Sequence, residues 1–322
     1  MLTSEWKEVL FWKDWDDYAR FVADWEAAHP DREPDPRRKA RRDAENPSRA
    51  ADPETAAQWE ADFGAWQAAR VPNKAALLAR FADYAANGKP QPGIPLRQGK
   101  EALAQAMEFA TTEAGQARAL WLLKVARSWA FHLDDYAAAV NVARGQTILE
   151  LSVGAGLGTR QVMETLRDGS TLISVDCDFV CVANALGLAG SYMLKGRAAG
   201  ITANFWDLPF GDATFDTVCS HYGLDESREL PTTLREAARV LRPGGRFVAV
   251  ARQDPWDRHG PRLEHFGVTR DECRELLRSV RLYSGPEDLI GTAAACGLFL
   301  TQRKTYEPAQ GHHRVLLSFE KK

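Results

Sequence analysis

Cysteine is scarce and follows no paired pattern. The chain has five thiols, Cys177, Cys181, Cys219, Cys273 and Cys296, an odd number without a CxxC pair. That argues against a disulfide frame and for reduced thiols in a cytosol. Cys219 and His221 are close in sequence, but no third or fourth ligand follows at a recognisable spacing, so no metal site is expected. No apolar run approaches the roughly 20 residues of a bilayer span. The start, Met1-Leu2-Thr3-Ser4-Glu5-Trp6-Lys7, carries an acid where a secretory signal needs an apolar core. The expectation is a cytoplasmic chain with no membrane partner. Neither sign of charge dominates: the formal net charge is −3. With no aromatic–basic stripe, nucleic acid is not an expected partner. Internal repeats and low-complexity segments are also missing.

What is present divides into an aromatic, helix-patterned first part and an alternating second part. Eight of the ten tryptophans precede residue 130. Trp12, Trp15, Tyr18, Val22 and Trp25 recur at helical steps and predict one apolar helix face. Asp52-Pro53-Glu54 reads as a helix start. Trp59, Phe63 and Trp66 share the face of that helix. Pro72-Asn73 opens another helix carrying Leu77, Leu78, Phe81 and Tyr84 and ending near Gly88. Lys89–Pro95 is the clearest linker. A helical pair over about 100–114 and 116–142 leads into the second part. Most of the tryptophans are read as core, and the layer as a cover for the substrate side of a sheet or a surface for pairing two subunits into a homodimer. The run Arg37–Arg42 lies between acids and reads as a solvated face. The division expected is a helical region at 1–98, a helical lead-in at 99–145 and a ligand-binding domain at 146–322.

From residue 146 short apolar runs alternate with helical stretches. Candidate strands are 147–151, 171–175, 199–203, 215–220, 246–252, 297–304 and 313–319, the rhythm of a doubly wound sheet. Thr147-Ile148-Leu149-Glu150-Leu151 runs directly into Ser152-Val153-Gly154-Ala155-Gly156-Leu157-Gly158. A turn of that kind lets backbone approach a ligand more closely than any Cβ allows, at the carboxyl end of a strand where open α/β sheets bind ligands. A second run, Leu172-Ile173-Ser174-Val175, ends in Asp176, spaced to accept both hydroxyls of a ribose. Then come Asn204-Phe205-Trp206-Asp207-Leu208-Pro209-Phe210, Phe215-Asp216, and Leu241-Arg242-Pro243-Gly244-Gly245. The Pro-Gly-Gly turn is read as delivering the chain from a helix into a strand at Arg246. Residues 254–285 interrupt the alternation beside the cleft and read as a lid.

Taken in order, these segments resemble the class I S-adenosylmethionine (SAM)-dependent methyltransferases, and within them the type 11-like subfamily with "LPF…FD" and "LRPGG". The resemblance is good over about residues 146–255. It implies a Rossmann-like sheet of seven strands, the last antiparallel beside its neighbour, with the helical region as an N-terminal addition. It implies SAM as cofactor. Gly154 and Gly156 would floor its amino-acid end, with Glu150 nearby. Asp176 would take the ribose, with Cys177 against the adenine. Asn204 would accept from the adenine amino group, and the Phe205 backbone N–H would face the ring. Ser152 departs from the family's usual glycine and would either donate to the amino-acid end or crowd it. A nicotinamide dehydrogenase shares the glycine turn, but it normally shows GxGxxG, and the later segments have no reason to accompany it.

Methyl transfer is an in-line displacement that needs alignment first and a base only for some acceptors. His221, in Ser220-His221-Tyr222 after the fourth strand, is the candidate base, against the alternative of a packing or loop-orienting role. Tyr222 would shape the acceptor pocket. Asp225 and Glu226 could attract a cationic group. His259 and His265 are weaker candidates, and His312-His313 reads as an exposed turn. The expected function is methylation of a small, secondary-metabolite-like molecule. The alternatives are a peptide or protein acceptor docked on the N-terminal helices, and a catalytically quiet binding partner.

Overall fold

The computed structural model describes residues 13–29, 53–88, 132–154, 156–177, 181–183, 194–227, 229–309 and 312–322. Trp12, the Arg37–Arg42 run, Ala155, the Lys89–Pro95 linker and most of the 100–142 helical pair lie outside them.

The N-terminal part contributes α1 (Trp15–Ala28), α2 (Pro53–Ala68) and α3 (Lys74–Asn87). The start and stop of α3 follow from its ends. The Asn73 side chain accepts from the Ala76 N–H, and Gly88 donates its N–H to the Tyr84 carbonyl. A short α4 (Leu133–Val140) then leads into the sheet.

Seven strands follow: β1 (Thr147–Leu151), β2 (Thr171–Asp176), β3 (Arg197–Thr202), β4 (Phe215–His221), β5 (Leu241–Arg252), β6 (Leu298–Ala309) and β7 (His312–Lys321). Their order is β3-β2-β1-β4-β5-β7-β6. β7 alone runs antiparallel, between β5 and β6. Intervening helices are α5 (Leu157–Thr165), α6 (Leu230–Val240), α7 (Trp256–Leu263), α8 (Arg270–Ser279) and α9 (Pro286–Ala295). Strand order reverses between β1 and β4, which makes their carboxyl ends the topological switch point.

Each face of the sheet is covered, which is why the central strands read as continuous apolar runs. On one face Leu234 and Ala237 of α6 and Leu289 and Ala293 of α9 pack on Leu149, Phe247 and Leu317. On the other, Tyr136 and Val140 of α4 and Val162 and Met163 of α5 pack on Ile148, Cys219 and Val248. A third core joins distant parts of the chain. Tyr18, Trp25, Trp59, Leu77 and Phe81 of α1–α3 bury themselves with Leu263, Cys273 and Leu277 of α7 and α8. Lys74 Nζ adds an ion pair to Glu272 at 2.7 Å, and Glu272 also closes the capping box of α8 with Thr269.

Two local readings change. β5 begins at Leu241, before Pro243-Gly244-Gly245, because Leu241 already pairs with Phe215 and a register shift between Phe215 and Thr217 accommodates the turn. His312 and His313 belong to β7, where the His313 carbonyl accepts from the Gln253 N–H at 3.0 Å. No helix among the described residues is long and apolar enough to cross a membrane.

Candidate active site

Register alone brings the predicted residues to one edge. Leu151 pairs with Val175 on one side and Ser220 on the other. Ser152 therefore lies between Asp176 and His221, at the tips of three adjoining strands. The chain turns there through positive φ at Ser152 (66°), Gly154 (51°) and Gly156 (79°), and Gly156 opens α5. Glycine adopts this region freely; Ser152 does so at a cost of roughly 1–2 kcal/mol. Asp176 is buried, and its Oδ2 accepts the Gly154 N–H at 3.0 Å. That bond fixes the glycine turn against the end of β2.

Gly158 supplies a contact the spacing argument did not anticipate. A Cβ there would stand 2.7 Å from the His221 Cβ and 3.1 Å from Glu150 Oε1. The third glycine of GxGxG thus lets α5 close onto β1 and β4. Beneath it, Glu150 is fully buried and its Oε2 accepts from Ser174 Oγ at 2.9 Å. Burial raises its carboxyl to about 7, against the opposing effect of the Thr159 and Ser174 hydroxyls.

Further along the edge, Asn204 bridges to Asp207, and its Oδ1 is buried without a hydrogen-bond partner among the described residues. An acceptor in that state costs about 1–3 kcal/mol unless a donor meets it. Phe205 turns its ring into the core beneath, and Cys177 is half-buried directly after Asp176. Positive-φ turns with open space beside Gly154, a buried acid at the end of the second strand and an unpartnered acceptor beyond β3 are chemically compatible with a ligand that carries a ribose and an amino-bearing base.

The other half of the edge is a cluster of rings. His221 Nε2 lies 2.8 Å from His132 Nε2, and the Tyr222 hydroxyl lies 3.2 Å from the same His132 nitrogen. Tyr222 adopts φ 63° while its N–H bonds the Val250 carbonyl at 2.9 Å. The guanidinium of buried Arg314 stands 5.0 Å from the Tyr222 ring centre. Burial, then the neighbouring His132 and Arg314, hold His221 well below the usual histidine range, and burial brings His132 down to about 4. Both imidazoles are neutral at pH 7. Burial pushes the Tyr222 phenol up.

Some expected residues do other work. Asp225 is buried and accepts from Arg252, from Nη1 at 2.6 Å and from its backbone N–H at 3.2 Å. Its charge is matched within the protein, which corrects the reading of it as an attractor of a cationic acceptor. His259 is buried in α7, and His265 is exposed. His132 and Arg314 are the members that sequence reasoning missed. The signals were a histidine opening the last helix before β1 and an arginine inside the apolar run of β7.

A family profile described as a methyltransferase domain matches residues 149–249, from β1 into β5. The ubiquinone/menaquinone biosynthesis C-methyltransferase UbiE of Enterobacter sp. (strain 638) is 30% identical over 170 residues, covering 49% of this chain and 68% of that protein. The demethylmenaquinone methyltransferase of Mycobacterium tuberculosis (strain ATCC 25618 / H37Rv) is 31% identical over 118 residues, 37% of this chain and 46% of its own length. Among solved structures, a SAM-dependent methyltransferase from Aquifex aeolicus aligns with a TM-score of 0.47 at 15% identity, covering 63% of this chain and 97% of that one.

Proposed function

This chain belongs to the class I SAM-dependent methyltransferases, and we propose that it methylates a small molecule bound over the carboxyl ends of β1 and β4. The observation that carries the reading is the His221–Tyr222 pair at the tip of β4, one strand from Ser152 and two from Asp176. SAM supplies a methyl group on a sulfonium, already an excellent leaving group. The protein's task is to align the acceptor and, where the acceptor must lose a proton, to receive it.

In this reading Gly154 and Gly156 floor the amino-acid end of the cofactor, with Glu150 beneath. Asp176 takes the ribose hydroxyls, Asn204 Oδ1 accepts from the adenine amino group, the Phe205 N–H faces the ring and Cys177 lies against it. The Ser152 side chain borders the amino-acid end. His221 takes the proton the acceptor gives up, and Tyr222 walls the acceptor pocket. A neutral, weakly basic imidazole suits an acceptor that loses its proton readily.

A small acceptor is favoured over a peptide for two reasons. The relatives above carry names from quinone biosynthesis. In addition, Trp25, Trp59 and Phe81 are buried against α7 and α8, so they present no open docking face.

The test is incubation with methyl-labelled SAM and two pools, one of phenolic, enolic and amine small molecules, the other of peptides. Label in a small-molecule product is expected. Label confined to peptides would overturn the reading.

A further inference from the structure

Two carboxyl groups flank the glycine turn after β1. Asp176 holds it from the end of β2 by accepting the Gly154 N–H. Glu150 lies under it, 0% exposed, with Oε1 3.1 Å from where a Gly158 Cβ would stand in the first turn of α5. Glu150 Oε2 accepts from Ser174 Oγ, but Oε1 is buried without a hydrogen-bond partner among the described residues. The N-terminus of α5 favours an anion at this spot. Burial disfavours one, and so does the negative charge of Asp176. The remaining neighbours do not settle the matter. On α4 and β4, Tyr136 and Cys219 are pushed up by burial and His221 is held down, so all three are neutral near pH 7. On α5, Thr159 offers only a hydroxyl, and Arg160 pairs with Glu164 at 2.9 Å. The described groups that act on Glu150 include no cation.

We propose, on the cofactor pose given above, that Glu150 gives up its proton when SAM binds, and that its charge then distinguishes SAM from S-adenosylhomocysteine. SAM carries a sulfonium cation that the product lacks. Away from bulk water, a cation beside the turn favours the ionised carboxyl. By linkage, the ionised carboxyl favours the cation to the same extent. The Glu150 proton passes to solvent as SAM binds. Once the methyl group has left, the sulfur is neutral, the carboxyl takes a proton back from solvent, and the product is held less tightly. SAM affinity therefore rises with pH up to about 7, where the carboxyl ionises without help.

The experiment is titration calorimetry of the full chain with SAM and with S-adenosylhomocysteine, in buffers of low and high ionisation enthalpy. It runs from about pH 5.5 to 7, below the range of the ligands' own α-amino groups. Near pH 6.5 the wild type should release about half a proton or more on binding SAM, and less on binding the product. The ratio of SAM to product affinity should rise with pH, by at most about tenfold per unit. Glu150→Gln keeps an acceptor for Ser174 and loses the titrating group, so both effects should vanish. Equal proton release with the two ligands would overturn the proposal, and so would release unchanged in Glu150→Gln. If Glu150→Gln does not fold, Ser174→Ala decides. Loss of that donor raises the carboxyl further, so the rise in the affinity ratio should move to higher pH, and an unmoved profile would overturn the proposal. Binding of both ligands without proton release would defeat the linkage and leave the methyltransferase reading standing. Absence of binding by either would defeat the cofactor pose with it.

Discussion

Ser152 and Gly223 share one volume at the tips of β1 and β4: a Cβ built on Gly223 would stand 2.3 Å from the Ser152 Cβ. Where the family usually has glycine, this chain carries a side chain, and the room for it comes from a glycine on the neighbouring strand end. Gly223→Ala would also meet Ser220 Oγ at 2.7 Å and the Leu151 carbonyl at 2.9 Å. We expect it to destabilise by about 1–3 kcal/mol, as overpacking does. Ser152→Gly relieves a left-handed serine and should be neutral to stabilising by up to about 1 kcal/mol. The double variant should recover part of the Gly223→Ala loss, because one of its three clashes is gone. Urea denaturation of the four proteins measures this. Strict additivity would mean that the two side chains do not compete.

Asp176 has two tasks, and its variants separate them. Asp176→Ala loses both the ribose partner and the acceptor of the Gly154 N–H, so SAM binding should weaken by roughly 1–3 kcal/mol. Asp176→Asn keeps an oxygen for Gly154 but loses the charge, and should fall between. Isothermal calorimetry gives the dissociation constants. An Asp176→Ala constant equal to wild type would remove the ribose assignment.

His221→Ala should lower turnover by about 10²–10⁴-fold, the usual contribution of general base catalysis, while affinity for SAM changes little. Parallel losses in turnover and cofactor affinity would reassign His221 to shaping the cofactor pocket.

Much of this edge could be read from the chain because its information is local. The glycine turn, the acid at the end of β2 and the Asn204–Phe210 segment each declare a strand end within a few residues. The central strands β1, β2 and β4 were legible almost to the residue because burial on both faces forces apolar runs. His132, Arg314 and Gly158 were not legible as site members. Each gains its role from a neighbour far along the sequence, 89 residues in the case of His132 and His221. No periodicity encodes such pairing. The packing of α1–α3 on α7 and α8 was hidden for the same reason: both partners looked merely amphipathic, and only the fold decides which amphipathic faces meet.

Buried Glu150 and His132 should give opposed pH dependences. The Glu150 carboxyl is raised from 4.5 to about 7, so the native state holds its proton more tightly than the unfolded chain. Its contribution is full below about 4.5 and is lost as pH rises through 7. The His132 ring is lowered from 6.5 to about 4, so its contribution is present above 6.5 and is lost as pH falls through 4. Between 4.5 and 6.5 the two slopes partly cancel. Glu150→Gln should expose a steeper fall toward acid, and His132→Gln a steeper fall toward alkali. Denaturant midpoints from pH 4 to 8 check both signs. A wild-type profile unchanged by either substitution would show that neither group titrates differently on folding.

The N-terminal helices and the segment after β5 share one core. Phe81 of α3 is 1% exposed and packs in one cluster with Cys273 and Leu277 of α8. Phe81→Ala should cost about 3–5 kcal/mol of local stability, transfer and cavity terms together. Lys74→Met removes an ion pair whose side chains are 35% and 42% exposed, so it should cost under about 1 kcal/mol. If α1–α3, α7 and α8 form one cooperative unit, hydrogen exchange in Phe81→Ala should accelerate across 74–87 and 256–282 together, while β1, β2 and β4 keep their protection. Acceleration confined to 74–87 would mean that the segment after β5 holds itself without the N-terminal layer, and that it is free to act as a lid on its own.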